Sequence, residues 1–204
     1  MTVVVGAHDR GELDLWEPSG LVGLGCVRAV VAVQGQLRAF GFDAPVESAE
    51  ELVSRELRRD LVLIGGPDAN SVTAAMIQRI RPTLSFGFPA WRKHVVTLVD
   101  TTTGVAYRPK YDKRGRVTVD YGLLVRAPNP LADDGTEVII LAGCWGHGTA
   151  AAAESLGGKS LHRHKVSTRQ PFEALVKVEV LDRHNHAVSV LAVRALDASR
   201  DSRP

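Results

Sequence analysis

The chain has 204 residues, 45% of them hydrophobic, which is enough for one well-buried domain. Its 25 Lys and Arg face 23 Asp and Glu, a formal net charge of +2, and aromatics make up only 5%. The balanced charge argues against nucleic acid as the main partner, the scarce aromatics leave few platforms for stacked bases, and no apolar run reaches membrane length.

The opening stretch MTVVVGAHDR lacks the basic leader and apolar length of a signal peptide. Cys26 and Cys144 make no disulfide framework, so reduced thiols and a cytoplasmic location are expected. Thr2 to Val5 reads as a short apolar strand closed by Gly6, with a polar loop carrying His8, Asp9 and Arg10 behind it. A helix is predicted over Leu21 to Phe40 and is weakened locally by Gly23, Gly25 and Gly35, unless those glycines permit close packing. Pro45-Val46 suits a short second strand, and Ser48 is placed to cap a helix running to Arg59.

Leu61 to Ile64 is a continuous apolar run, as suits a strand buried on both faces. Gly65-Gly66-Pro67 stops it. Asp68, Asn70 and Ser71 then offer N-cap oxygens to a helix whose apolar positions are Val72, Ala75, Met76 and Ile80. Alternation of strand and helix predicts an α/β fold, a flavodoxin-like or Rossmann-like three-layer sandwich around a central parallel sheet.

The pattern then changes to short strands at Val95–Val99, Val105–Arg108, Arg116–Val119 and Gly122–Arg126, separated by TTTG and DKRG turns. They predict an antiparallel β-meander, over 92–128, that extends the sheet. Val138 to Leu141 is a second continuous apolar strand and ends in the glycine-rich run Gly143 to Gly148, before a helix from Thr149 to Leu156. Lys159 to Gln170 is polar. Leu175–Leu181 and Ala187–Arg194 form a hairpin across DRHNH, within a terminal segment 172–196. One domain over 1–196 and a frayed tail over 197–204 complete the expected organisation.

In an open parallel sheet ligands bind beyond the carboxyl ends of the strands. Three loops leave such ends, Gly6–Arg10, Gly65–Asn70 and Gly143–Gly148, and one pocket lined by all three is the economical reading. Its ligand-binding candidates are His8, Asp9, Gly65, Gly66, Asp68, Asn70, Gly146, His147 and Thr149. Unpaired N–H groups at two helix N-termini would hold a small anion. The plainer reading is two ordinary turns that need glycine for their dihedrals. Cys144, at a strand-to-helix turn with His147 nearby in sequence, is the candidate nucleophile; the alternative is a small buried residue beside Trp145. No cofactor is required by these residues.

Gly-Gly-Pro after one strand and Gly-Cys-x-Gly-His after a later one resemble the class I glutamine amidotransferases. That resemblance implies oxyanion-loop roles for Gly65 and Gly66 and a nucleophile at Cys144. Gly148 stands where that family has glutamine, and the His-x-Glu pair is absent, His184-Asn185-His186 having the wrong third residue. The α/β order with polar strand-end loops is also similar to Rossmann-like domains that handle nucleotides or NAD derivatives, of the TIR, SLOG and deoxyribosyltransferase types. GGPDAN, DYGLLVRAPNP and AGCWGHGT resemble in addition a prokaryotic group that implies a fold without a mechanism.

His162/His164 and His184/His186 have i,i+2 spacing but no Cys or carboxylate at ligand distance in sequence, so no metal site is expected. Arg163, Lys165 and Arg169 form a basic loop, and Arg126 closes its strand before Pro128. Three functions follow. The first is a module binding a small anion, a nucleotide or sugar-phosphate derivative. The second is a cysteine hydrolase of amidotransferase type. The third is an interaction module pairing a sheet edge with a protein partner, in which the glycine turns are structural.

Overall fold

The computed structural model describes residues 1–6, 21–87, 96–157, 161 and 170–196; His8, Asp9, Arg10, the loop 162–169 and the tail 197–204 lie outside the described residues. In chain order the elements are β1 (Thr2–Val5), α1 (Leu24–Ala39), β2 (Val46–Ser48), β3 (Leu61–Ile64), α2 (Ser71–Ile80), β4 (Leu84–Gly87), β5 (Thr97–Asp100), β6 (Ala106–Tyr107), β7 (Lys110–Tyr111), β8 (Val117–Pro128), β9 (Glu137–Gly143), α3 (Gly146–Leu156), β10 (Phe172–Leu181) and β11 (His184–Ala195).

The main sheet runs β11-β10-β8-β9-β3-β1-β2, with β7 on the free part of β8; β4, β5 and β6 make a second, three-stranded sheet. The apolar runs β1, β3 and β9 are neighbours and parallel, and β2 adds a parallel edge. From β9 outward every pairing is antiparallel. The expected three-layer Rossmann or flavodoxin sandwich is therefore corrected to a mixed, mostly antiparallel sheet with a small parallel part, 40% strand against 25% helix. The physical reason lies between α2 and α3, where the described chain makes strands and no helix. A parallel neighbour needs a long crossover, so strands joined by shorter returns pair antiparallel.

Several element boundaries differ for local reasons. Asp120 and Tyr121 keep their ladder partners Val178 and Lys177, so the two strands expected on either side of them are one strand, β8. The helix expected from Ser48 to Arg59 is instead a series of turns with a 3₁₀ turn at Glu56–Arg58. There Glu51 and Glu56 accept the backbone N–H groups of Ser48 and Val53, each three residues back, and close separate turns. β11 starts at His184 because Asp182 and Arg183, both at positive φ (47° and 66°), turn the hairpin in two residues.

Side chains alternate across the strands and fill two large cores, with a small third cluster of Ala151, Val176 and Val178. Val4, Leu63, Leu123, Val125, Ile140 and Leu175 face α2 and the three-stranded sheet. Val3, Val62, Ile64, Leu124, Leu141 and Ala174 face the side of the sheet that holds α1 and α3. α1 and α3 cross at two glycines: a Cβ on Gly25 would run into the backbone of Gly146. Gly25 is thus a packing residue against a helix.

Candidate functional site

β1, β3 and β9 end side by side, so the turns that follow them are stacked at one end of the sheet. After β3, Gly65 continues the ladder by donating its N–H to the carbonyl of Leu141 and then takes φ +111°, a conformation L side chains rarely adopt. The carbonyl of Gly66 accepts from the N–H groups of Ala69 and Asn70 at 3.0 and 2.9 Å, which closes the turn.

Asn70 is the bracket of this end of the molecule. Its Oδ1 accepts from the N–H of Thr73 at 3.0 Å, capping α2. Its Nδ2 donates to the carbonyls of Ile64 (3.1 Å) and Val4 (3.4 Å), joining the ends of β3 and β1. With 1% exposure its amide groups are committed inside the protein. Asp68 is exposed, and a Cβ on Gly66 would lie 2.6 Å from its Oδ1. A carboxylate therefore stands over the turn that was expected to receive an anion.

The turn after β9 is close to it: the same Cβ on Gly66 would be 3.8 Å from the carbonyl oxygen of Gly143. Two of the three expected loops thus come together, with Gly6 beside them, where a Cβ would meet the carbonyl of Ala69. The N-terminus of α3, however, already holds an anion. Asp120 of β8, fully buried, accepts from the N–H of Gly148 at 2.6 Å, of its neighbour Tyr121 at 2.8 Å, and of Trp145. Burial pushes its carboxyl up to about 6 against the opposing pull of those three donors. Close approach makes this possible. Side chains on Gly122 and Gly148 would strike the backbone carbonyls of Gly148 and Tyr121, and one on Gly143 would strike the N–H of Thr149.

The remaining candidates sit within this packing. Gly146 meets α1 at Gly25, and Thr149, 3% exposed, directs its Oγ1 at the carbonyl of Trp145 (3.4 Å). Cys144 is 3% exposed, with its Sγ 4.0 Å from the carbonyl of Tyr107 beneath the three-stranded sheet. Burial and the nearby Asp120 charge push its thiol far up. His147 turns to the other side, its Nδ1 2.9 Å from Oδ1 of Asn185 in β11. The structure does not bring Cys144 and His147 together. Among the cations, Arg126 forms an ion pair with Glu137 across β8 and β9, its Nη2 donating to both carboxylate oxygens at 2.7 and 2.8 Å. His184 hydrogen-bonds through Nδ1 to the carbonyl of Asp182.

Two features went unnoticed in the sequence. Asp120 was detectable as a lone carboxylate inside an otherwise apolar strand pattern. The other is the charge of the hairpin around the expected DKRG turn, RPKYDKRGR over 108–116, where five cations accompany one carboxylate. Tyr111 of this hairpin accepts a hydrogen bond from the indole Nε1–H of Trp145 at 2.7 Å.

No curated protein matches the chain. Residues 27–159 match the model described as S-layer like family, outer domain, whereas no Rossmann, TIR or amidotransferase family matches. This overturns the resemblances to amidotransferases and to nucleotide-handling Rossmann-like domains, and the expectation of nucleotide binding with them. With well over half of its length matched, and the buried Asp120 and both glycine turns inside the matched span, the chain belongs to the S-layer like family, outer domain.

Proposed function

We propose that this chain is a protein-interaction module, an outer domain held in a surface layer by contacts with other protein. The observation that carries the reading is Asp120, whose carboxylate takes the helix N-terminal donors that an external anion would need. Asn70 closes the neighbouring turn in the same manner. Donors of the two described turns are thereby taken by the chain's own side chains, and the glycines there allow close packing.

Apolar surface is displayed elsewhere. Leu24, Val27 and Val31 line up along α1 with 65%, 45% and 67% exposure, on the helix face opposite buried Cys26, Ala29 and Val33. The family description supplies the setting, a surface layer, and we adopt it in place of the cytoplasmic expectation.

Photo-crosslinking in cells that make the protein tests the reading. A photoreactive residue at position 31 is expected to give adducts with protein, while millimolar inorganic phosphate or nucleotide leaves the melting temperature of the purified chain unchanged. No protein adduct at position 31, together with a rise of several degrees in phosphate, would overturn it.

A further inference from the structure

Away from the apolar stripe of α1, the hairpin of β7 and β8 presents a surface of a different kind. Its residues 108–116 carry Arg108, Lys110, Lys113, Arg114 and Arg116, all exposed, against the single carboxylate Asp112. Five cations less one carboxylate leave +4, twice the formal charge of the whole chain. Asp112 is spent on the turn itself. Its Oδ1 accepts from the N–H groups of Arg114 (2.8 Å) and Arg116 (2.9 Å), and its Oδ2 from Nε of Arg116 (2.8 Å). Gly115, at φ +74°, donates to the Asp112 carbonyl at 3.0 Å. Among the described residues Arg108, Lys110, Lys113 and Arg114 have no ion pair. On the far side of β8, Glu179 lies opposite Val119, but Lys177 holds it at 2.7 Å; Asp68 stands over Gly66 at the neighbouring turn. The hairpin thus offers its cations from a turn that is already fixed, so a ligand pays little to order it.

Rings are scarce in this chain, yet all three tyrosines, Tyr107, Tyr111 and Tyr121, lie in or beside this hairpin. Tyr107 and Tyr121 pack on each other with ring centroids 5.5 Å apart. Tyr111, opposite Val117 and 43% exposed, is braced by the indole N–H of Trp145. Arg, Tyr and Trp are the residues that carry most of the energy in protein interfaces.

The same details sort the partners. Trp145 has spent its one donor on Tyr111, so this ring pair offers apolar area rather than partners for sugar hydroxyls. One exposed ring gives no row of platforms for successive bases. The tip Asp112–Arg116 has no apolar side chain to enter a bilayer. The chain's own acidic stretch, Asp43 to Glu51, is flanked by Arg38, Arg55, Arg58 and Arg59, so a second copy supplies no matching charge. Resting on the interaction reading, we infer that the β7–β8 hairpin binds an acidic segment of a different protein. Carboxylates of that segment meet the arginines and lysines, and its interspersed apolar side chains cover the ring of Tyr111.

Fluorescence anisotropy of the purified chain with a labelled peptide of Glu-Glu-Leu repeats tests this. Binding is expected at low ionic strength and should weaken by about tenfold or more in about 0.5 M salt, where screening is short-ranged. Arg114→Glu should weaken it by about tenfold, and Tyr111→Ala by about fivefold. Arg79→Glu makes the same charge change in the last turn of α2 and should leave affinity within about twofold. Unchanged melting of each variant shows that its fold is retained.

No binding of the peptide at millimolar concentration and low salt overturns the inference. So does an equal loss in Arg79→Glu and Arg114→Glu, which would reduce the effect to net charge. Tighter binding of polygalacturonate, oligo-dT or phosphatidylglycerol vesicles than of the peptide overturns it too, and names a glycan, a nucleic acid or a membrane instead. None of these results removes protein adducts at position 31, so failure here is distinguishable from failure of the interaction reading.

Discussion

The Oδ2 of Asp120 lies 2.6 Å from the backbone nitrogen of Gly148, in the first turn of α3. A carboxylate at a helix N-terminus is favoured by the dipole, but this one is fully buried and its desolvation is the larger effect. Folding therefore favours its protonated form. The contribution is fully present below the ordinary 3.8 and is lost as the pH rises through about 6. The separation between those two values corresponds to about 3 kcal/mol. Denaturant unfolding between pH 4 and 7 should show stability falling over that window, and Asp120→Asn should flatten the slope. An unchanged slope in the variant would assign the titration to another group.

The glycines of α1 should respond in opposite directions to the same substitution. Gly25→Ala places a methyl group into the backbone of Gly146 and should cost roughly 1–3 kcal/mol, since neither helix can retreat cheaply. Gly35 has open space around its would-be Cβ, so Gly35→Ala should stabilise by roughly 0.5–1 kcal/mol through helix propensity. Midpoints of urea unfolding, read side by side, give the comparison. Equal effects would mean that the α1–α3 crossing is looser than its geometry.

What could be read from the sequence and what could not divides along the range of the interactions. The apolar run Leu61–Ile64, its glycine stop and the Asn70 cap are local, and they form a strand, a turn and a helix N-terminus in succession. The same locality explains why the second glycine turn was visible as a turn. Its occupant was not visible, because Asp120 arrives from a strand that precedes it by more than twenty residues and faces α3 only through the pairing of β8 with β9. The mixed sheet has the same cause. Nothing in Gly122–Arg126 or Phe172–Leu181 states that these segments will lie next to each other and next to β9. Ser48–Arg59 failed in the other direction: helix-forming residues were overruled by side-chain bonds to the backbone.

Cys144 should behave as a core residue. With its thiol pushed far up by burial and by Asp120, little thiolate exists at neutral pH. Iodoacetamide should label it slowly in the folded protein at pH 7 and quickly once denaturant opens the chain. Cys144→Ser should cost about 2 kcal/mol, because the more polar hydroxyl would be buried where the Tyr107 carbonyl lies 4.0 Å from the sulfur, too far for a good hydrogen bond. Fast labelling of the folded protein, with no loss of stability in the serine variant, would restore the nucleophile reading.

The three-stranded sheet is fastened to the main sheet by a buried polar cluster, and this yields the most local prediction. Arg194 of β11 donates to Asp100 of β5 at 2.6 Å through Nη2, and to Oγ1 of Thr83 at 3.2 Å through Nη1. Thr83 in turn donates to Glu173 of β10, whose second oxygen accepts the N–H of Leu84 at 3.1 Å. Asp100 and Glu173 are each 1% exposed; the guanidinium bonds Asp100 directly and is linked to Glu173 through the Thr83 hydroxyl. Its hydrogen bond holds the Asp100 carboxyl well below the usual carboxylate range. That contribution is present above about 3.9, the unfolded value, and is lost as the pH falls further, a window distinct from that of Asp120. Asp100→Asn should cost about 2 kcal/mol at pH 7, less than a fully buried pair, because the Arg194 side chain is 34% exposed. Arg194→Ala should cost more than Asp100→Asn, since it leaves the buried Asp100 carboxylate without its cation and removes a donor to Thr83. Hydrogen exchange locates the effect: in Arg194→Ala the amides of β4 and β5 should exchange faster while those of β3 and β9 keep their protection. Uniform loss of protection across both sheets would show that the cluster supports the whole fold rather than the attachment of the smaller sheet.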